Sequence, residues 1–113
     1  MAVIDVAGGT LAYERAGAGE PLLLVHANGM SRAAWRPVLA LLEPQRDVIA
    51  VDLPGHGGSG PVAPHIAAAP AGFARIFAAL LDELGIERAH VAGNSLGGWT
   101  ALELARLGRA RSV

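Results

Sequence analysis

The chain has 113 residues, 52% of them hydrophobic and 17% charged, with a formal net charge of −1 and no cysteine. That is the length of one small domain or part of a larger one, and apolar enough to suit strands buried on both faces. The scattered arginines form no basic stripe, which argues against nucleic acid or an anionic membrane surface as partner, and the missing cysteines exclude a disulfide framework, a thiolate metal site and a cysteine nucleophile.

Met1 leads into Ala-Val-Ile-Asp rather than into a basic segment and an apolar stretch, and no run approaches the roughly 18 apolar residues of a membrane span, so a cytoplasmic, non-membrane protein is expected. Val3 to Val6 and Thr10 to Arg15, separated by Ala7-Gly8-Gly9, read as an antiparallel hairpin, the second arm alternating as a half-exposed strand does. After the turn-rich stretch Ala16 to Pro21, Leu22 to Val25 is continuously apolar, as a central strand covered on both sides should be. Ser31 can cap a helix running to about Leu42, with Trp35, Val38, Leu39 and Leu42 on one face, and Pro44 ends it. Asp47 to Asp52 is the next β-like run; Leu53 to Gly60 must be loop, and Pro61 to Pro70 stays irregular. A helix from about Ala71 to Leu84 stops at Gly85, and a strand follows at Arg88 to Ala92. A third helix spans about Leu96 to Leu107, with Arg106, Arg109 and Arg111 where cations favour a helix C-terminus. Ser112-Val113 looks like the approach to a further strand that is not reached, which would leave Arg88 to Ala92 at an exposed edge open to self-association. Strands alternating with helices of this length predict an α/β domain with a mainly parallel sheet flanked by helices.

Between the last predicted strand and the last helix lies Gly93-Asn94-Ser95-Leu96-Gly97, a G-x-S-x-G pattern. Such a turn is so tight that the serine adopts a strained backbone and lifts its hydroxyl above the sheet, and Gly93 and Gly97 remove side chains that would collide. Ser95 is therefore the candidate nucleophile, its bland alternative being a plain helix N-cap. In this arrangement the acid and the histidine follow the serine along the chain. Only 18 residues follow Ser95, none of them His or Asp, and Glu103 sits in the following helix. The 113 residues thus read as a single partial domain, the front of an enzyme with a nucleophile and no base.

Three motifs in order, His26-Ala27-Asn28-Gly29, Asp52-Leu53-Pro54-Gly55-His56-Gly57-Gly58-Ser59 and Gly93-Asn94-Ser95-Leu96-Gly97-Gly98, resemble the α/β-hydrolase fold family. The first is similar to its His-Gly-x oxyanion loop, with Ala27 in place of glycine, and the second to its D-x-P-G-x-G-x-S loop. The resemblance implies the first five strands and helices A to C of an eight-stranded fold. It also implies a parent enzyme without cofactor that cleaves a small ester-like substrate, an amide or an activated carbon–carbon bond, within an esterase, haloperoxidase-like and carbon–carbon hydrolase group. Leu96 and Asn28 would supply the two oxyanion N–H donors, and Gly93, Gly97 and Gly98 would shape the elbow. His26 then orders its loop, and His56 packs in the glycine-rich loop. His90 lies five strand residues from Ser95, about 16 Å, toward the other end of the sheet.

The four histidines, His26, His56, His65 and His90, have no metal-site spacing. Asp52 is expected to accept backbone N–H bonds from Gly55 to Gly58, and Trp35 and Trp99 to pack in the core. The competing reading is a non-catalytic interaction module that pairs through its sheet edge. A nucleotide-binding protein is disfavoured because neither G-x-x-x-x-G-K nor G-x-G-x-x-G follows a strand.

Overall fold

A computed structural model describes residues 1–113. The elements in chain order are β1 (Ala2–Val6), β2 (Gly9–Gly17), β3 (Glu20–Val25), a 3-10 turn (Arg32–Trp35), α1 (Arg36–Leu42), β4 (Arg46–Val51), α2 (Pro70–Glu83), β5 (Ala89–Gly93), α3 (Leu96–Arg106) and β6 (Ala110–Ser112). The six strands form one sheet in the order β1-β2-β4-β3-β5-β6. The hairpin is antiparallel and β2 meets β4 antiparallel, whereas β4, β3, β5 and β6 run parallel to one another. Because β3 sits between β4 and β5, the loops leaving all three parallel strands emerge side by side, and these loops carry the three motifs.

The continuously apolar runs are buried on both faces. Leu23, Val25, Ile49, Val51 and Val91 point into the larger core with Phe73, Phe77 and Leu80 of α2 and Leu104 of α3. Leu24, Val48 and Ala50 face the other way, where Trp35, Leu39 and Leu42 cover them. Helices therefore lie on both faces, and the alternation of strand side chains decides which residue meets which helix.

Three expectations are corrected. The helix expected from Ser31 to Leu42 is divided at Pro37, which has no N–H to give Ala33. Arg36 donates to the Ala33 carbonyl instead, closing a 3-10 turn capped by the Ser31 hydroxyl, and α1 begins only there. Its predicted apolar face is also narrower, since Val38 is exposed.

The sheet has six strands rather than five. Gly108, at φ 77°, turns the chain sharply after α3, and Ala110–Ser112 pairs with Ala89 and His90. β5 is thus an interior strand, and the outer edge is the three-residue β6.

The Arg109 side chain does not serve the C-terminus of its own helix. It reaches across to the Ile86 and Glu87 carbonyls and to Asp82, at the end of α2, and so pins the approach to β6.

Candidate active site

Ser95 lies where β5 ends and α3 begins, and it is the only non-glycine residue with positive φ (φ 55°, ψ −113°). Such a conformation costs on the order of 1–3 kcal/mol and persists only where the surroundings enforce it. The enforcement is backbone packed on backbone. A Cβ on Gly93 would lie 2.3 Å from the Gly97 carbonyl, and one on Gly97 would lie 2.2 Å from the Val25 oxygen. Gly98 is less constrained, with Gly93 O at 3.2 Å. Asn94 N–H donates to Val25 O at 3.1 Å and Gly97 N–H to Asn94 O at 2.9 Å, which ties the turn to the end of β3. Although Ser95 occupies the N-cap position of α3, its hydroxyl makes no capping bond and the residue is exposed. The plain N-cap role is left unused.

The two loops facing the elbow are held by histidines with committed nitrogens. His26 is buried; its Nε2 accepts the Leu53 N–H at 2.9 Å while Nδ1 lies 2.7 Å from Ala27 O. Burial pushes its pKa below the usual histidine value, so the neutral ring with its proton on Nδ1 satisfies both bonds. His56 repeats the pattern one layer out. Its Nε2 accepts the Gly29 N–H at 3.0 Å, Nδ1 lies 3.0 Å from Pro54 O, and its ring stands 5.2 Å from that of His26. The Asn28 amide approaches the same Nε2 at 3.1 Å. The Asn28 atom facing that nitrogen is its Oδ1.

Beneath these loops Asp52 is 0% exposed. Its carboxylate accepts the Gly58 N–H at 2.9 Å and the Arg32 N–H at 2.7 Å, and it pairs with the Arg32 guanidinium. Burial opposes the Arg32 charge, but the hydrogen bond it donates to Glu14 and the charge of Asp52 outweigh it and raise the arginine pKa. Ser59 completes the lock, donating to Asp52 O at 2.7 Å and accepting Ala12 N–H at 3.0 Å.

Elbow, loops and the start of α2 enclose an open cleft of about 590 Å³ that brings Ser95, Leu96 and Asn28 together with His56, Phe73 and Trp99. The N–H groups of Asn28 and Leu96 take part in none of the loop hydrogen bonds. Asn28, Leu96 and the exposed Ser95 line the same hollow.

Comparison with known proteins places this geometry in a family: the sequence model described as "alpha/beta hydrolase fold" matches residues 20–111. The chain belongs to the alpha/beta hydrolase family. It is 44% identical over 103 residues to the dihydrolipoyllysine-residue acetyltransferase component of the acetoin cleaving system of Cupriavidus necator, covering 89% of this chain and 27% of that protein. It is 40% identical over 98 residues to the 2-hydroxy-6-oxononadienedioate/2-hydroxy-6-oxononatrienedioate hydrolase of Paraburkholderia phymatum, covering 82% and 34%. Among solved structures, a thermophilic esterase from Thermogutta terrifontis superposes with a TM-score of 0.88 at 29% identity, over 97% of this chain and 43% of that one. The chain therefore spans well under half the length of these relatives.

In this alpha/beta hydrolase chain the remaining histidines stand away from Ser95. His90 bonds Glu20 at 2.9 Å and Ser112 at 2.7 Å, at the starting end of β3, as its place in β5 requires. His65 is exposed on the loop before α2. Two participants escape the sequence reading. Arg32 is the cation of the buried Asp52, and the only hint of it is that a carboxylate in an apolar strand needs one. Trp99, expected in the core, is 61% exposed and lines the cleft. Its N–H donates to Ser95 O, one helical turn on, and that i, i+4 spacing was the available signal.

Proposed function

We propose that these residues carry the nucleophile and the oxyanion-binding half of a cofactor-free serine hydrolase acting on ester-like bonds, with amides and activated carbon–carbon bonds as chemical neighbours. The observation that carries the reading is Ser95: strained, exposed, free of any capping bond and facing a cleft. In the reaction its Oγ attacks the substrate carbonyl carbon while a general base takes the hydroxyl proton. The carbonyl oxygen gains negative charge and is met by the N–H groups of Asn28 and Leu96, the latter first in its helix, where the dipole also favours an anion. Collapse of the intermediate expels the alcohol and leaves an acyl group on Ser95, which water then removes. Losing one such donor typically costs about 10²- to 10³-fold in turnover.

The base is the part these 113 residues do not supply. Both nitrogens of His26 and of His56 are committed to backbone groups, and His90 pairs with Glu20 and Ser112. On this reading the base and its acid come from polypeptide outside residues 1–113, and the isolated chain turns over esters no faster than its buffer.

Exogenous imidazole can stand in for the base. Incubating the chain with p-nitrophenyl butyrate should give acylation that imidazole accelerates, that peptide mapping localises to Ser95, and that Ser95→Ala abolishes. Acylation spread over other hydroxyls, or unchanged by Ser95→Ala, would refute the nucleophile. Rapid multiple turnover without imidazole would refute the missing base.

A further inference from the structure

Resting on Ser95 as the nucleophile and the Asn28 N–H as an oxyanion donor, we propose that His56 is a positioning residue for that donor. Its Nε2 holds the crest of the oxyanion loop where the Asn28 N–H can meet the substrate oxygen.

The loop between His26 and Arg32 is fixed at both ends to the segment that follows β4. His26 Nε2 accepts the Leu53 N–H at 2.9 Å, and the Arg32 N–H donates to Asp52 Oδ1 at 2.7 Å. Between those anchors the Met30 N–H donates to Ala27 O at 3.1 Å and closes residues 27–30 into a β-turn. Gly29, at φ 79°, fills the third position, where a type II turn calls for glycine. The bond makes the four residues one unit, so Asn28 moves as the turn moves.

A β-turn uses only the N–H of its fourth residue, which leaves the Gly29 N–H to find an acceptor elsewhere. It finds His56 Nε2 at 3.0 Å. The Asn28 Oδ1 faces the same nitrogen at 3.1 Å, and residues 27–31 make no other hydrogen bond outside residues 26–34. His56 is therefore the one polar tie on the crest.

The ring stands on a fixed base. The His56 N–H donates to Leu53 O and its carbonyl accepts the Ser59 N–H, both at 2.9 Å, and the Gly55 N–H closes the same loop on Gly60 O at 2.8 Å. Nδ1 lies 3.0 Å from Pro54 O, so the ring proton sits there and leaves Nε2 the lone pair that Gly29 requires. The ring holds a backbone N–H and moves no proton in the reaction. All of these contacts lie within residues 26–60.

Replacing the ring one nitrogen at a time tests this. Glutamine places an amide oxygen near the position of Nε2, whereas asparagine reaches only that of Nδ1 and keeps the Pro54 contact alone. The measure is imidazole-assisted acylation of Ser95, followed by mass spectrometry. The substrates are p-nitrophenyl butyrate and its thionoester, whose C=S sulfur is a poor hydrogen-bond acceptor. A misplacement of about 1 Å costs about 10²-fold, so His56→Asn should slow the ester on that scale and the thionoester at least about tenfold less. His56→Gln should recover most of the ester rate. A loss of stability alone would slow both substrates together and leave their ratio unchanged. Nitrogen-15 NMR reads the hold directly: in the parent Nε2 should be the unprotonated ring nitrogen, and the heteronuclear NOE of the Gly29 amide should drop in His56→Asn but not in His56→Gln.

Equal ester rates in His56→Asn and His56→Gln, equal slowing of ester and thionoester, or a neutral ring with its proton on Nε2 would overturn the inference. If Ser95 of the parent is not acylated at all, the hydrolase reading falls, and the Gly29 amide still decides whether His56 holds the loop. Normal acylation of the parent with no effect of His56→Asn refutes this inference alone.

Discussion

Replacing Gly97 with alanine should destabilise the protein, against the trend that helix propensity sets. Alanine is favoured over glycine by about 1 kcal/mol inside a helix, so an unobstructed Gly→Ala change in the first turn of α3 would stabilise it. At Gly97 the new Cβ would fall 2.2 Å from Val25 O and 2.5 Å from His26 O, and real Cβ contacts do not close below 3.0 Å. The obstacle is the backbone of a central strand, which cannot rotate aside, so α3 must retreat by about 0.8 Å. Overpacking of this kind costs about 3 kcal/mol, the upper end of its usual range, leaving a net loss of about 2 kcal/mol after the propensity gain. For a domain of this size that lowers Tm by about 10 °C, readable by circular dichroism and by the urea midpoint. The same retreat displaces the Leu96 N–H from Ser95, and a misplacement near 1 Å costs about 10²-fold, so imidazole-assisted acylation should fall on that scale. Gly98→Ala is the control: its Cβ meets Gly93 O at 3.2 Å, a misfit of a few tenths of an ångström, and the variant should stay within about 0.5 kcal/mol of the parent. A Gly97→Ala protein that melts at or above the parent temperature would refute the claim that backbone contact between α3 and β3 builds the elbow.

Asp52→Asn should cost about 3–5 kcal/mol in urea denaturation, because it strips the Arg32 guanidinium, only 13% exposed, of its buried partner; a loss under about 1 kcal/mol would show the pair to be dispensable. Stability should also fall in acid in two stages. His26 has its pKa lowered by burial, so the stabilisation is complete above the unfolded value of about 6.5 and is lost as the pH drops from there toward the folded value. Glu14, lowered by the Arg32 hydrogen bond, and Glu20, lowered by the His90 hydrogen bond, add their losses only below about 4.5. A urea midpoint that is flat or rising between pH 7 and pH 5 would contradict the buried neutral His26. Phe77→Ala, at a fully buried position of the larger core, should lose about 3–5 kcal/mol and, for so small a domain, leave much of the chain unfolded at room temperature.

The residues that announce themselves in the sequence are those whose role follows from local geometry. Gly93 and Gly97 flank Ser95 at a strand-to-helix switch, and no other residue type survives a carbonyl little more than 2 Å from the Cβ position. The unbroken apolar runs Leu22 to Val25 and Val48 to Val51 mark strands covered twice, so an α/β layering with helices on both faces was legible, and two short runs parted by Ala7-Gly8-Gly9 marked the hairpin. His90 was correctly set apart by counting strand residues, because rise along a strand is a local constant.

What tertiary structure alone decided concerns groups that meet across loops. Arg32 lies 20 residues before Asp52, and nothing in either segment names the other until β3 and β4 pair in parallel and bring their ends together. The short β6 exists because β5 offers an unpaired edge and Arg109 is anchored at the end of α2, neither of which a three-residue segment encodes in its own periodicity. Trp99 carries the same lesson. Helical spacing assigns it to a face of α3, but whether that face meets core or cleft depends on where α2 begins and how the loop before it runs. Periodicity specifies direction around a helix, and only the packing of neighbouring elements specifies what lies in that direction.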